Sequence, residues 1–223
     1  GARRLVILKA ESGMGKTALA AEWLRTLSER EPRALVLHSR CYANEQIAYQ
    51  AFDAAFDGLA RALRKLSRED CERLLPAKVA VLSELFPVLG SVSAIGEASR
   101  KGLPAEPTAR RALALEVLVE LLAKLSTEAP LIIAIDDLQW ADAESFHLLE
   151  ALRQSSARGA PFMVATQRPT DARDAVTAKV LRTLGSDPTT RVVLVDRLES
   201  DAAARLARAL LGPSGQAALV QAI

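Results

Sequence analysis

A doubly wound α/β domain is the fold this sequence predicts. Three observations lead there: five short apolar runs rich in β-branched residues, stretches with helical spacing between them, and a glycine-rich turn straight after the first run. The runs lie at 5–8, 34–38, 131–135, 162–166 and 192–195. Each is continuous rather than alternating, as suits strands of a parallel sheet covered by helices on both faces. Aromatic residues make up only 4% of the 223, so the core has to be built mainly from Leu, Val, Ile and Ala.

The first run leads into Ala10-Glu11-Ser12-Gly13-Met14-Gly15-Lys16-Thr17, and a good helix, 18–27, follows. This is the pattern of a phosphate-binding loop. Glycines let successive backbone N–H groups turn toward phosphate oxygens, and the opening helix turn adds its positive dipole. The residues expected at the phosphates are Ser12, Gly13, Met14, Gly15, Lys16, Thr17 and Ala18, with Lys16 on the β- and γ-phosphates and Thr17 on Mg²⁺. The usual pattern, GxxxxGK(S/T), opens with glycine, whereas Ala10 stands there. Alanine is tolerable if its φ is negative and nothing packs against its methyl, while Gly13 and Gly15 are expected where a Cβ would crowd the phosphates.

Between the second and third runs lies a stretch too long for a bare loop. Residues 46–66, 69–75, 78–85 and 108–125 carry helical spacing, and Thr108 after Pro107 is the expected N-cap. Residues 90–107, rich in Gly, Ser and Pro, are expected to be mobile. The reading is a helical insertion over about 42–130 within the α/β core.

The third run ends in paired carboxylates, Asp136 and Asp137. Phosphoanhydride hydrolysis needs one carboxylate for the Mg²⁺ shell and another to orient or deprotonate water, and a buried strand holds both at its carboxyl end. Asp136 is assigned to magnesium and Asp137 to water activation. The fourth run ends in Thr166-Gln167-Arg168, which reaches the phosphate loop if this strand lies beside the first; Arg168 is then a candidate sensor of the γ-phosphate. After the fifth run, Ser200 or Asp201 can cap a helix through residue 210, stopped by Gly212-Pro213, and 213–223 looks like the start of a further helical region.

Composition narrows the partners. Basic and acidic residues nearly balance, at a net charge of +2, and no basic block with interleaved aromatics suggests direct nucleic-acid binding by this segment. Cys41 and Cys71 lie outside any CxxC pattern and His38 and His147 do not cluster with them, which argues against zinc and disulfides. With no signal peptide pattern and no long apolar segment, a cytoplasmic protein with no membrane partner is expected.

The string Asp136-Asp137-Leu138-Gln139-Trp140-Ala141-Asp142 with Ser145, the loop upstream and Arg168-Pro169 downstream resembles the ATPase module of STAND signalling proteins. These AAA+-related ATPases occur in LuxR/MalT-type regulators, in bacterial multidomain kinases and adenylate cyclases, and in apoptosis and immune switches. Ser39-Arg40-Cys41-Tyr42 is similar to the end of the second strand in the kinase-linked and cyclase-linked branch. The resemblance implies a sheet ordered 5-1-4-3-2, ATP/ADP with Mg²⁺ rather than a guanine nucleotide, and residues 1–223 as one ATPase domain of a longer multidomain protein. It also implies that an upstream adenine-holding segment, a lid and a winged helix lie outside this sequence. Asp142 is expected to cap the helix 143–152, and Trp140 to pack the loop against the insertion.

The leading expectation is a slowly hydrolysing ATPase switch whose partners are other domains of its own chain and further copies of itself. Two alternatives stand beside it: a nucleotide-binding interaction module with weak or no hydrolysis, and a small-molecule kinase.

Overall fold

The computed structural model describes residues 4–45, 47–155, 159–169 and 171–211. Five strands, β1 (Leu5–Lys9), β2 (Leu35–Arg40), β3 (Leu131–Asp136), β4 (Phe162–Gln167) and β5 (Thr190–Leu194), pair in parallel in the order β2-β3-β4-β1-β5. That is the expected order read from the other edge. Four strands lie where the apolar runs predict. The fifth begins at Thr190, two residues early, because Thr190 and Arg191 pair with Leu5 and Val6 of β1.

Strand order decides which face carries the helices. From β1 to β2 the chain crosses β4 and β3, and every later crossover runs back the other way. Right-handed crossovers therefore put α1 (Lys16–Arg30) on one face and the later connections, from β2 onward, on the other. The two cores reflect this. On the α1 face a small cluster joins Leu24 to Ile132 and Ala134, with Phe162 partly buried against it and the Trp23 ring 5.9 Å from Phe162. On the other face Leu5, Ile7, Leu37, Ile133, Ile135, Met163 and Ala165 enter the main core.

That core is closed by the insertion: α2 (Asp53–Leu63), α3 (Arg68–Leu74), α4 (Leu82–Leu85), α5 (Ser93–Gly96) and the long α6 (Pro107–Glu128). Several expectations are corrected here. The helix expected over 46–66 is a 3-10 turn, Gln50–Phe52, followed by α2; Gln46 lies outside the described residues. The 78–85 segment is likewise a 3-10 turn leading into α4. Glu106, not Thr108, caps α6: its carboxylate accepts the Ala109 N–H at 2.7 Å and Pro107 takes the first helical position, where no N–H is needed. The stretch expected to be mobile is folded over its first part, because Leu89, Val92 and Ile95 reach the core. Gly90 and Gly96 serve close packing: a Cβ on Gly96 would stand 2.5 Å from the Gly90 carbonyl oxygen.

After β3 come a 3-10 turn, Leu138–Trp140, and α7 (Ala143–Gln154); α8 (Ala175–Ser186) joins β4 to β5, and α9 (Ser200–Leu211) follows. Gly212-Pro213 and the helical region expected beyond it lie outside the described residues. Among the described residues no helix is long and apolar enough to cross a membrane.

Asp142 does more than cap α7. Its carboxylate accepts the Ser145 N–H at 2.9 Å and the Ser145 hydroxyl, and also the backbone N–H groups of Tyr49 and Gln50, at 3.0 Å each. One side chain thus holds the start of the insertion against the loop after β3. Burial would raise its pKa, but the hydrogen bonds from Ser145 and Tyr49 outweigh that and hold it below the usual carboxylate range. A depressed carboxylate stabilises the fold above its unfolded value, about 3.9, and the contribution is lost as pH falls through the folded value. Asp142→Ala strands N–H groups of Tyr49 and Gln50 and is expected to cost about 2–4 kcal/mol in denaturant unfolding near neutral pH, with a smaller difference from wild type in acid. A cost near zero at neutral pH would show that the insertion docks without it.

Candidate functional site

The site forms where the register aligns the carboxyl ends of four strands. Lys9 of β1 stands beside Gln167 of β4, and Arg40 of β2 beside Asp136 of β3. In open α/β sheets ligands collect beyond these ends.

From β1 the chain turns through Gly13 and Gly15, at φ +77° and +82°, a left-handed conformation that L side chains rarely adopt. The protein does not crowd either glycine: an added Cβ meets no atom within 4 Å. Backbone conformation therefore demands glycine here. Ala10 meets one of its two conditions, since it is not among the positive-φ residues, but its side chain is buried. Its N–H donates to the Gln167 carbonyl at 3.2 Å. Lys16 opens α1 with its side chain buried along the loop, and its Nζ donates to the carbonyl oxygens of Ala10 and Glu11, each at 2.8 Å.

Thr17, next on α1, meets Asp136 at the end of β3. Its Oγ1 lies 2.9 Å from Oδ1 and 3.2 Å from Oδ2 of that carboxylate. Thr166 of β4 donates its hydroxyl to the same Oδ1 and accepts the Asp137 N–H at 2.9 Å. A hydroxyl and a carboxylate so placed are hard oxygen donors. They suit Mg²⁺, which takes few protein ligands and completes its shell with water and phosphate oxygens. Among the described residues no cluster of three His, Cys, Asp or Glu side chains forms a self-sufficient metal cage.

Asp137 is buried and left-handed, φ 58°, which aspartate tolerates better than most residues. Both of its oxygens are engaged. Oδ2 accepts from Arg40 Nη2 at 3.0 Å; Oδ1 accepts from Gln139 Nε2 at 2.9 Å and lies 3.5 Å from Arg168 Nε. Arg168 also pairs with Asp171 at 3.3 Å. Sequence reasoning singled out neither Gln139 nor, as a partner of Asp137, Arg40; their signal was membership of the two strings that carry the resemblance. Cys41, next to Arg40, is no nucleophile: burial and the neighbouring Asp142, Asp137 and Asp136 carboxylates push its thiol up to about 12. Trp140 packs partly buried against the main core, and its carbonyl accepts from Gln50 Nε2 at 3.0 Å.

A glycine turn at a helix start, a buried lysine, and a Thr–Asp pair beside a second carboxylate are an arrangement chemically suited to a phosphate and a metal ion. The AAA ATPase domain family matches residues 1–165. The chain belongs to that family. Among solved structures, this AAA ATPase domain is similar to the ORC2 protein of Aeropyrum pernix in its ADPNP–ADP complexes, at 16% identity and a TM-score of 0.40 over 92% of this chain. It spans 45% of that protein's length. It is also similar to the bacterial conjugative coupling protein TrwB, in an unbound form, at 15% identity and a TM-score of 0.34, covering 93% of this chain and 73% of the other. A search among curated proteins finds no match.

Proposed function

We propose that this AAA ATPase domain is an ATP-binding, slowly hydrolysing regulatory switch, whose nucleotide state sets conformation or self-association. One observation carries the reading: each group suited to the γ-phosphate end of the nucleotide already holds a protein partner. Lys16 holds loop carbonyls, Thr17 holds Asp136, and Arg40 from β2 and Arg168, just past β4, hold Asp137, just past β3. A γ-phosphate with Mg²⁺ competes for these cations and for the Thr17 hydroxyl. ATP and ADP then differ in free energy for two arrangements of the strand ends, which is what a switch requires.

When bound, Mg²⁺ neutralises phosphate charge as a Lewis acid, held by Thr17 and Asp136. The backbone N–H groups of 12–18 and Lys16 orient the phosphates, Arg168 stabilises charge at the γ-phosphate, and Asp137 takes a proton from the attacking water.

Hydrogen exchange tests the switch. Segments 40–50 and 168–175 are expected to differ in protection between a non-hydrolysable ATP analogue and ADP, both with Mg²⁺. Identical patterns would sink it. Arg40→Ala is expected to raise the Kd for ATP about tenfold and leave that for ADP unchanged, because only ATP offers the phosphate that competes for this guanidinium. An equal loss for both nucleotides would place Arg40 elsewhere.

A second reading, a nucleotide-binding interaction module with weak hydrolysis, is favoured by the same pairing. Both Asp137 oxygens are engaged, Oδ2 by Arg40 and Oδ1 by Gln139 and Arg168, so neither is open to a water until the guanidiniums leave.

A further inference from the structure

We propose that Gln139 is the positioning residue for Asp137, tying the orientation of that carboxylate to the backbone leaving β4. The proposal rests on Asp137 being the water-activating carboxylate.

Gln139 is fully buried, and both ends of its amide are used. Nε2 donates to Asp137 Oδ1 at 2.9 Å, and Oε1 accepts the Arg168 N–H at 3.0 Å. Its main-chain carbonyl accepts the Arg173 N–H at 3.1 Å, so the loop after β4 is held at two points. The amide cannot turn over: a carboxylate only accepts and an N–H only donates, so a flip replaces two hydrogen bonds with two repulsions.

The other donors to Asp137 differ in kind. The Arg40 side chain is 53% exposed and that of Arg168 29% exposed, and both cations can leave for a phosphate. Gln139 is neutral and buried and gains nothing from such an exchange. Once the guanidiniums have moved, it remains on Oδ1 and leaves Oδ2 for water, while the Asp137 N–H stays on Thr166 Oγ1. A neutral, buried donor fixes the direction of the carboxylate and carries no charge that a phosphate could draw away. Arg168 shares this anchor through its backbone, so a change at its side chain reaches Asp137 through the same amide.

The test compares wild type, Gln139→Met, Gln139→Glu and Asp137→Asn for Mg·ATP binding and phosphate release by the whole chain. Gln139→Met keeps length and loses both hydrogen bonds; Gln139→Glu keeps the acceptor for Arg168 but sets a carboxylate against Asp137. Both are expected to lower kcat about 10- to 100-fold with the Kd for Mg·ATP within about twofold of wild type, and Glu is to be at least as damaging as Met. A purely structural role makes Glu, which keeps the Arg168 contact, the milder change. A second readout needs no folded Gln139 variant other than Gln139→Glu. The Gln139 side-chain NH₂ resonance, assigned by its absence from Gln139→Glu, is expected to shift in Asp137→Asn.

Wild-type kcat in both Gln139 variants, parallel loss of binding and rate, or an NH₂ signal indifferent to Asp137→Asn overturns the role of Gln139. If Asp137→Asn releases phosphate like wild type, or wild type releases none, the reading of Asp137 falls and this one with it.

Discussion

Lys16→Ala is expected to lose nucleotide binding, raising the Kd for Mg·ATP about 100-fold or more, the equivalent of about 3 kcal/mol. The side chain lies buried along the turn, with its ammonium on the Ala10 and Glu11 carbonyls. A phosphate brought to that ammonium makes charge-assisted hydrogen bonds in a place with little water to screen them. Truncation removes the cation and also the brace across the loop, so the N–H groups that line it lose their fixed direction. Calorimetric titration with ATP and ADP measures this. Equal affinity in wild type and variant would refute the assignment of the phosphate site.

Asp137→Asn is expected to bind Mg·ATP at least as tightly as wild type and to release phosphate about 10²- to 10⁴-fold more slowly. The substitution preserves shape and removes the base. It also changes the neighbours' balance: with the amide oxygen kept on Gln139, the new NH₂ faces Arg40, donor against donor, and Arg40 is released toward the phosphate. Binding and single-turnover hydrolysis measured on one preparation separate the two effects. An unchanged rate removes Asp137 from the chemistry. No phosphate release from the wild-type protein favours the interaction-module reading.

The residues of the candidate phosphate and metal site were legible as a motif because their spacing is local. Gly13, Gly15, Lys16 and Thr17 are consecutive or nearly so, and the turn they form needs only left-handed backbone at two glycines and a helix behind. Asp136 and Asp137 were legible as acids ending an apolar strand. Elsewhere the pattern misled. Glycines at 90 and 96 read as breakers, yet they permit close contact inside a folded segment. Thr108 resembled a cap until Glu106, two residues upstream, took the Ala109 N–H.

Fold class, strand positions and the motif residues follow from short-range periodicity and from turn and helix-start chemistry, which act over a few neighbouring residues. The partnerships that define the site do not. Arg40 and Asp137 are 97 residues apart, Thr17 and Asp136 119, and Gln139 and Arg168 29. They meet because parallel pairing in one register sets the strand ends level, and because right-handed crossovers leave only one face for the insertion. Which cation sits on which carboxylate is thus decided by competition among groups that only the folded sheet brings within reach.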